Sequence, residues 1–200
     1  MSQQADRPSR HVGTVLVICT GNVCRSPYIE RRLRQLLAGT DAVVESAGTR
    51  ALVGSDIEPG SSAALSAVGA DVAGFASRQL ARAMLDDADI VVTATQQHRG
   101  DAVALHPRAL RKTFTIGELA DLVRGADLAA AAGEAPADVP WAAVVADVAR
   151  GRRGLHRARP ADESDIYDPY GRGSAAYARM SHEIESLVGV VAEALRPPAI

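Results

Sequence analysis

Cysteine is nearly absent from this chain: there are two among 200 residues, Cys19 and Cys24. Two thiols five positions apart cannot build a disulfide framework, and they lack the spaced partners of a structural zinc site. A reducing compartment is expected, with at least one thiol reactive. Net charge is also scarce, at −2 with a pI near 6.2. That gives no global footprint for nucleic acid or for an anionic membrane surface, so any anion site must be local. Long apolar runs are missing too. The longest, such as Val15–Cys19 and Ile90–Val92, are strand-sized, and no membrane insertion is expected. Residues 1–11 are polar, carry arginines and have no apolar stretch, so they do not read as a secretory signal. They are expected to form a flexible tail on a soluble, cytoplasmic protein. There is no internal repeat.

What is present suits one domain, expected over residues 12–197, because 47% hydrophobic content in 200 residues supports a substantial core. Strand-like runs at Thr14–Cys19, Ala42–Ser46, Asp89–Thr93 and Arg111–Thr115 alternate with helical segments. These are Pro27–Leu37, Pro59–Val68, Ser77–Leu85, Thr95–Leu105, Ile116–Val123 and Ser174–Leu195. Such alternation predicts an α/β fold with a parallel sheet covered on both faces, where ligands bind beyond the carboxyl ends of the strands. Between residues 125 and 160 the character changes to an alanine-rich stretch, a short helix at Trp141–Arg150 and an arginine-rich segment, which reads as an insertion. Arg150, Arg152, Arg153, Arg157 and Arg159, with His156, read first as a solvated linker and second as a dock for a phosphorylated or acidic partner.

The chemistry concentrates between Cys19 and Arg25, in the order Cys-Thr-Gly-Asn-Val-Cys-Arg, with Ser26-Pro27 following. A tight loop running from a strand into a helix N-terminus points several backbone N–H groups into one concavity, and the helix dipole adds positive potential. A phosphate dianion fits such a nest, lined by Thr20, Gly21, Asn22, Val23, Cys24 and Ser26. The same field is expected to favour the Cys19 thiolate as nucleophile, while Arg25 offers a planar, bidentate clamp on two phosphate oxygens. Gly21 eases a sharp turn, Asn22 tolerates left-handed backbone, and Ser26-Pro27 reads as N-cap and first helical residue.

The string VLVICTGNVCRSPYIE resembles the signature of the low-molecular-weight protein tyrosine phosphatase family. Ser46-Ala47-Gly48-Thr49 resembles that family's second loop motif, and Asp168-Pro169-Tyr170-Gly171 its general-acid loop, in the same order along the chain. The resemblance implies a flavodoxin-like four-stranded parallel sheet, a phosphocysteine intermediate, and no metal or organic cofactor. It makes Cys19 the nucleophile, Arg25 the clamp and Asp168 the general acid, with Asp165 the nearest rival. Asn22, Ser26 and Ser46 become the hydrogen-bond network that shapes the loop, and Cys24 either a partner for a protective disulfide or a packing residue. The implied partner is a phosphorylated protein, phosphotyrosine first.

Several positions depart from the family pattern. The loop Arg50-Ala51-Leu52-Val53 offers no aromatic, and Tyr170 is followed by Gly171, so Tyr170 alone supplies an aromatic pocket wall on that side. Phe75 stands where many relatives carry a loop-supporting histidine, and Thr95 where an acid is common. His98, His106 and His182 lack metal-ligand spacing and read as satisfied helix or surface histidines. Three other functions compete. A protein arginine phosphatase of the same family would suit an aromatic-poor pocket, although Val23 stands where those enzymes carry threonine. A thioredoxin-linked arsenate reductase would need cysteines downstream of Cys24, and there are none. A non-catalytic phosphoprotein-binding module would have lost one of the three reactive residues, and all are present.

Overall fold

The computed structural model describes residues 10–155 and 159–198. Strand β1 (Thr14–Cys19) is followed by helix α1 (Arg25–Leu36), β2 (Val43–Gly48) and α2 (Pro59–Ala67). Helix α3 (Arg82–Asp87) leads to β3 (Ile90–Thr93), α4 (Gln96–Leu105), a 3-10 turn over Pro107–Lys112, β4 (Thr113–Thr115) and α5 (Ile116–Val123). The remaining helices are α6 (Leu128–Glu134), α7 (Trp141–Arg152), the single turn α8 (Ala161–Ser164) and the long α9 (Ser174–Leu195).

The four strands form one parallel sheet in the order β2-β1-β3-β4, the flavodoxin-like α/β arrangement expected. The chain leaves β1 toward β2 on one side and later returns to β3 on the other. The carboxyl end of β1, at Cys19, is therefore the switch point where such sheets open a crevice. Along β1 the side chains alternate: Val15, Val17 and Cys19 join the larger core with Ile29, Leu33, Leu119 and Met180, while Leu16 and Ile18 join a smaller one with Leu85 and Ala102. Both faces are covered, so β1 reads as an uninterrupted apolar run. Each of its large side chains contributes roughly 1.5–3 kcal/mol of burial.

Three expectations change. Residues 77–81, expected to start a helix, are extended, and only Arg82–Asp87 coils. Their N–H groups are claimed from outside: Ser77 donates to the Ser55 carbonyl, Arg78 to Asn22 Oδ1, and Leu80 to the Gly48 carbonyl, making a one-residue bridge beside β2. Tertiary partners thus outweigh local helix propensity.

Arg10 and His11, expected in the tail, are held. The Arg10 guanidinium donates to the carbonyls of Ala132, Ala135, Pro136 and Val139 and lies over the Trp141 ring. The carbonyls of His11 and Val12 accept from the N–H groups of Trp141 and Ala142, so they cap the otherwise unpaired first turn of α7. Trp141 is fully buried, and its Nε1 donates to the Ala194 carbonyl at 2.8 Å.

Within the arginine-rich segment Arg153 and Arg159 are packed and paired rather than solvated, while Arg150 stays on the exposed surface. Arg153 pairs with Glu118 at 2.8 Å and stacks over Phe114, Arg159 pairs with Asp121, and Arg150 with Asp147 at 3.0 Å. His156 and Arg157 lie outside the described residues.

Candidate active site

The loop after β1 is shaped by where its carbonyls go. Those of Cys19, Thr20 and Gly21 accept from the N–H groups of Thr49, Arg50 and Leu52, those of Val23 and Cys24 from Glu58 and Tyr28, all at 2.9–3.1 Å. In a trans peptide the N–H of the next residue points opposite to its carbonyl. Turning these carbonyls outward aims the N–H groups of the loop inward, toward the concavity ringed by Cys19. The resulting nest has the polarity to hold an anion.

The curvature is taken up at Asn22, whose φ of 55° is the one positive value at a described residue other than glycine. Gly21 has no positive φ, and a Cβ there would meet the Val23 side chain at 3.4 Å and that of Leu52 at 3.9 Å. The glycine that the loop requires is Gly48: a Cβ on it would sit 2.4 Å from the Thr20 carbonyl oxygen.

Beneath the loop runs a buried hydrogen-bonded chain whose direction can be worked out. The Arg78 N–H donates to Asn22 Oδ1 at 2.8 Å, which fixes the amide orientation. Asn22 Nδ2 then donates to Ser26 Oγ at 2.9 Å and to Ser46 Oγ at 2.7 Å, and Ser46 passes its own hydrogen to the Glu30 carboxylate. Ser26 is left with its hydrogen free for Cys19 Sγ, 3.0 Å away. Ser26 is therefore not the N-cap expected for α1; that helix begins at Arg25, after Cys24. Glu30, buried on the inner face of α1 and also paired with Arg34 at 3.0 Å, anchors the chain. In the sequence it has the spacing of an ordinary helix carboxylate.

Arg25 is almost wholly buried, and its Nη2 donates to Asp168 Oδ2 at 2.8 Å. The Asp168 side chain is about half exposed, with Oδ1 accepting from the Tyr170 N–H. Its segment is pinned on both sides, by Ile166 N–H to the Ala94 carbonyl and by Tyr167 N–H to the Glu183 carboxylate of α9. Asp165, the rival acid, instead accepts from the Gln96 N–H at the start of α4, at 2.8 Å. Cys19, Thr20, Arg25 and Asp168 open onto one cleft of about 180 Å³, walled by Val23, Leu52, Tyr170 and Arg50. Leu52 and Arg50 thus occupy the side on which the sequence offers no aromatic.

Cys24 is a free, buried thiol, as is Cys19. Burial, reinforced by the neighbouring Cys19, pushes the Cys24 thiol up to about 12, which keeps it protonated and weakly nucleophilic. Phe75 does not reach the loop network; Arg31 stacks over its ring. The histidine that touches the loop comes from elsewhere. His98, 3% exposed at the start of α4, places Nε2 2.8 Å from Thr20 Oγ1 and Nδ1 2.9 Å from Thr95 Oγ1. Burial, with the Arg25 guanidinium nearby, lowers it to about 4, so it is neutral. Thr95 is the N-cap of α4. No local pattern marks a helix histidine 78 positions on as the partner of Thr20.

The family model for low molecular weight phosphotyrosine protein phosphatase matches residues 14–134. The chain belongs to that family. Among curated relatives, low molecular weight protein-tyrosine-phosphatase Etp of Escherichia coli (strain K12) is 33% identical over 105 residues, covering 52% of this chain and 70% of Etp. Wzb of the same strain is 31% identical over 103 residues, covering 52% and 69%. The fold matches the crystal structure of Erwinia amylovora tyrosine phosphatase AmsI with a TM-score of 0.64 at 22% identity, covering 90% of each chain. It matches YwlE arginine phosphatase from Geobacillus stearothermophilus with the same TM-score at 28% identity, covering 90% of this chain and 91% of that one. This low-molecular-weight phosphatase is thus a hydrolase by family, and its Cys19 stands in the phosphate-loop position. Asp168 lies beyond the matched span. Among the described residues no helix is long and apolar enough to cross a membrane.

Proposed function

We propose that this protein hydrolyses phosphate monoesters on phosphorylated proteins, phosphotyrosine first, with Cys19 as nucleophile, Arg25 as clamp and Asp168 as general acid and base. The observation that carries the reading is the 2.8 Å Arg25–Asp168 contact at the rim of the nest around Cys19. A dianionic phosphoryl group entering the nest supplies a new partner for Arg25, and the carboxylate it releases, half exposed, takes up a proton from solvent and faces the leaving oxygen. Cys19 Sγ attacks phosphorus while the P–O bond to the substrate breaks, and that oxygen takes the proton of the Asp168 carboxyl. Asp168, now ionised, accepts a proton from water, whose oxygen attacks phosphorus, and the S–P bond breaks to release inorganic phosphate. The inward N–H groups and the start of α1 stabilise charge on the transferring oxygens in both steps. Two free thiols suit a reducing, cytoplasmic setting.

A second reading, phosphoarginine as substrate, is favoured by one observation. On the side where the sequence offers no aromatic, the cleft is walled by Leu52 and Arg50, leaving Tyr170 as its aromatic surface. Assays of the reduced protein on phosphotyrosine, phosphoserine and phosphoarginine peptides separate the readings. Preference for phosphotyrosine is expected, together with loss of all turnover in Cys19→Ser. Undiminished turnover in that variant would overturn the mechanism, and a phosphoarginine preference would overturn the substrate.

A further inference from the structure

Thr20, the residue after the nucleophile, is held at two points. Its carbonyl accepts from the Arg50 N–H at 2.9 Å, and its hydroxyl meets His98 Nε2 at 2.8 Å. The imidazole reaches back to Thr95, whose Oγ1 already accepts from the His98 backbone N–H at 3.2 Å. The protons can be placed. The Thr95 hydroxyl hydrogen has His98 Nδ1, 2.9 Å away, as its acceptor. Nδ1 is then unprotonated, so the ring proton sits on Nε2 and is donated to Thr20 Oγ1. The Thr20 hydroxyl hydrogen is left to point into the cleft, which Thr20 lines. The opposite tautomer would strand the Thr95 hydrogen in a buried position and turn the Thr20 hydrogen away from the cleft, at the cost of an unmade buried hydrogen bond.

We infer that His98 is a positioning residue for the phosphatase reaction: as the neutral, Nε2-protonated imidazole it locks Thr20 as a hydrogen-bond donor facing the bound phosphoryl group. The role rests on reading the Cys19 loop as the phosphate site. Arg25 and Arg50 on one hand, and Asp101 and Asp168 on the other, are the charged groups whose fields act on the ring. A neutral ring transmits orientation to Thr20 without adding a third positive charge beside the two arginines. Nothing in the reaction requires His98 to exchange a proton with substrate.

The test combines turnover with a spectroscopic readout on the full chain. With a small aryl phosphate, His98→Ala and Thr20→Val should each lower kcat about tenfold, the weight of one oriented hydrogen bond, with KM little changed. The double variant should be no slower than the slower single one, while His98→Gln and Thr20→Ser, which keep a donor and a hydroxyl, should recover most of the loss. Nitrogen chemical shifts of His98 should report the Nε2–H tautomer in the unmodified protein. A merely packing role would leave Thr20→Val unimpaired and its effect independent of His98. An active protein whose His98 carries its proton on Nδ1, or whose two substitutions multiply, overturns the role of His98 alone. An unmodified protein without phosphatase activity overturns the reaction itself and this role with it. Should His98→Ala fail to fold, Thr20→Val at the partly exposed partner and the tautomer measurement still decide.

Discussion

At the scale of single residues, the loop couples two kinds of requirement that pull on Asp168 differently. A carboxyl that protonates a leaving group matters most when that group is a poor one. Asp168→Asn should therefore slow hydrolysis of an alkyl or unactivated aryl phosphate by about 10²–10⁴-fold, and much less when the leaving phenol is strongly acidic. A series of aryl phosphates of graded leaving-group acidity measures this: the variant's rates should depend steeply on the leaving group where those of the parent do not. His98 makes a second residue-level claim, on stability. Burial and the Arg25 field hold it at about 4 against an ordinary 6.5, with Arg50 adding to the shift and Asp101 and Asp168 opposing it. Between those values the unfolded chain binds a proton that the folded one refuses, so stability falls as pH drops through that window and levels off below it. The full difference is about 3 kcal/mol. Urea unfolding at steps from pH 7 to pH 4 should show the decline, and His98→Gln should flatten it.

Elements carry the next set of consequences. Asp168, the acid we propose, sits on a short segment between α8 and α9 that is fastened by one carboxylate of α9: Glu183 accepts from the Tyr167 N–H at 2.8 Å and pairs with Arg179, which stacks over Tyr167. Glu183→Ala should lower kcat severalfold through misplacement of Asp168, with the melting temperature little moved, and Glu183→Gln should restore most of the rate because its amide oxygen still accepts. Parallel kinetics and thermal melts would show it. The same elements explain what could be read from the chain in advance. The β1–loop–α1 unit and the four strands are local patterns of period and turn chemistry, legible in the chain itself, whereas Ser46 and Asp168 are marked only by the family resemblance. Residues 77–81 were not, because their backbone partners are Ser55, Asn22 and Gly48, all more than twenty positions away. His98, Glu30 and Gly48 escaped for the same reason: each has a local reading that is complete in itself, and its role appears only when a distant segment arrives.

The molecule as a whole shows how the region after α5 is built into the body. Trp141 sits where the segment around Arg10, helix α7 and the end of α9 converge, with its ring under the Arg10 guanidinium and its Nε1 on the Ala194 carbonyl. Removing that ring leaves a cavity touching three parts of the chain and an unpaired carbonyl. Trp141→Ala is expected to cost about 3–5 kcal/mol, measurable by denaturant unfolding, while the activity of the fraction that remains folded stays near that of the parent. The cleft lies at the opposite end of the sheet's logic, at the switch point beyond β1, and its two sides come from segments far apart in sequence.

The outward-turned carbonyls of the Cys19 loop carry one more consequence. Five carbonyls of the loop are held from behind by the N–H groups of residues between Tyr28 and Glu58, that of Gly21 also by the Ser77 hydroxyl, and the side chains beneath it by residues as far along as Arg78 and His98. The loop has no independent means of keeping its shape; it is an impression cast by its surroundings. Its ordering is expected in the closing stage of folding, after the long-range contacts are made, and its loosening in the first stage of opening. Turnover is therefore a more sensitive gauge of the integrity of this fold than its helical content, and should fade while most of the secondary structure still stands.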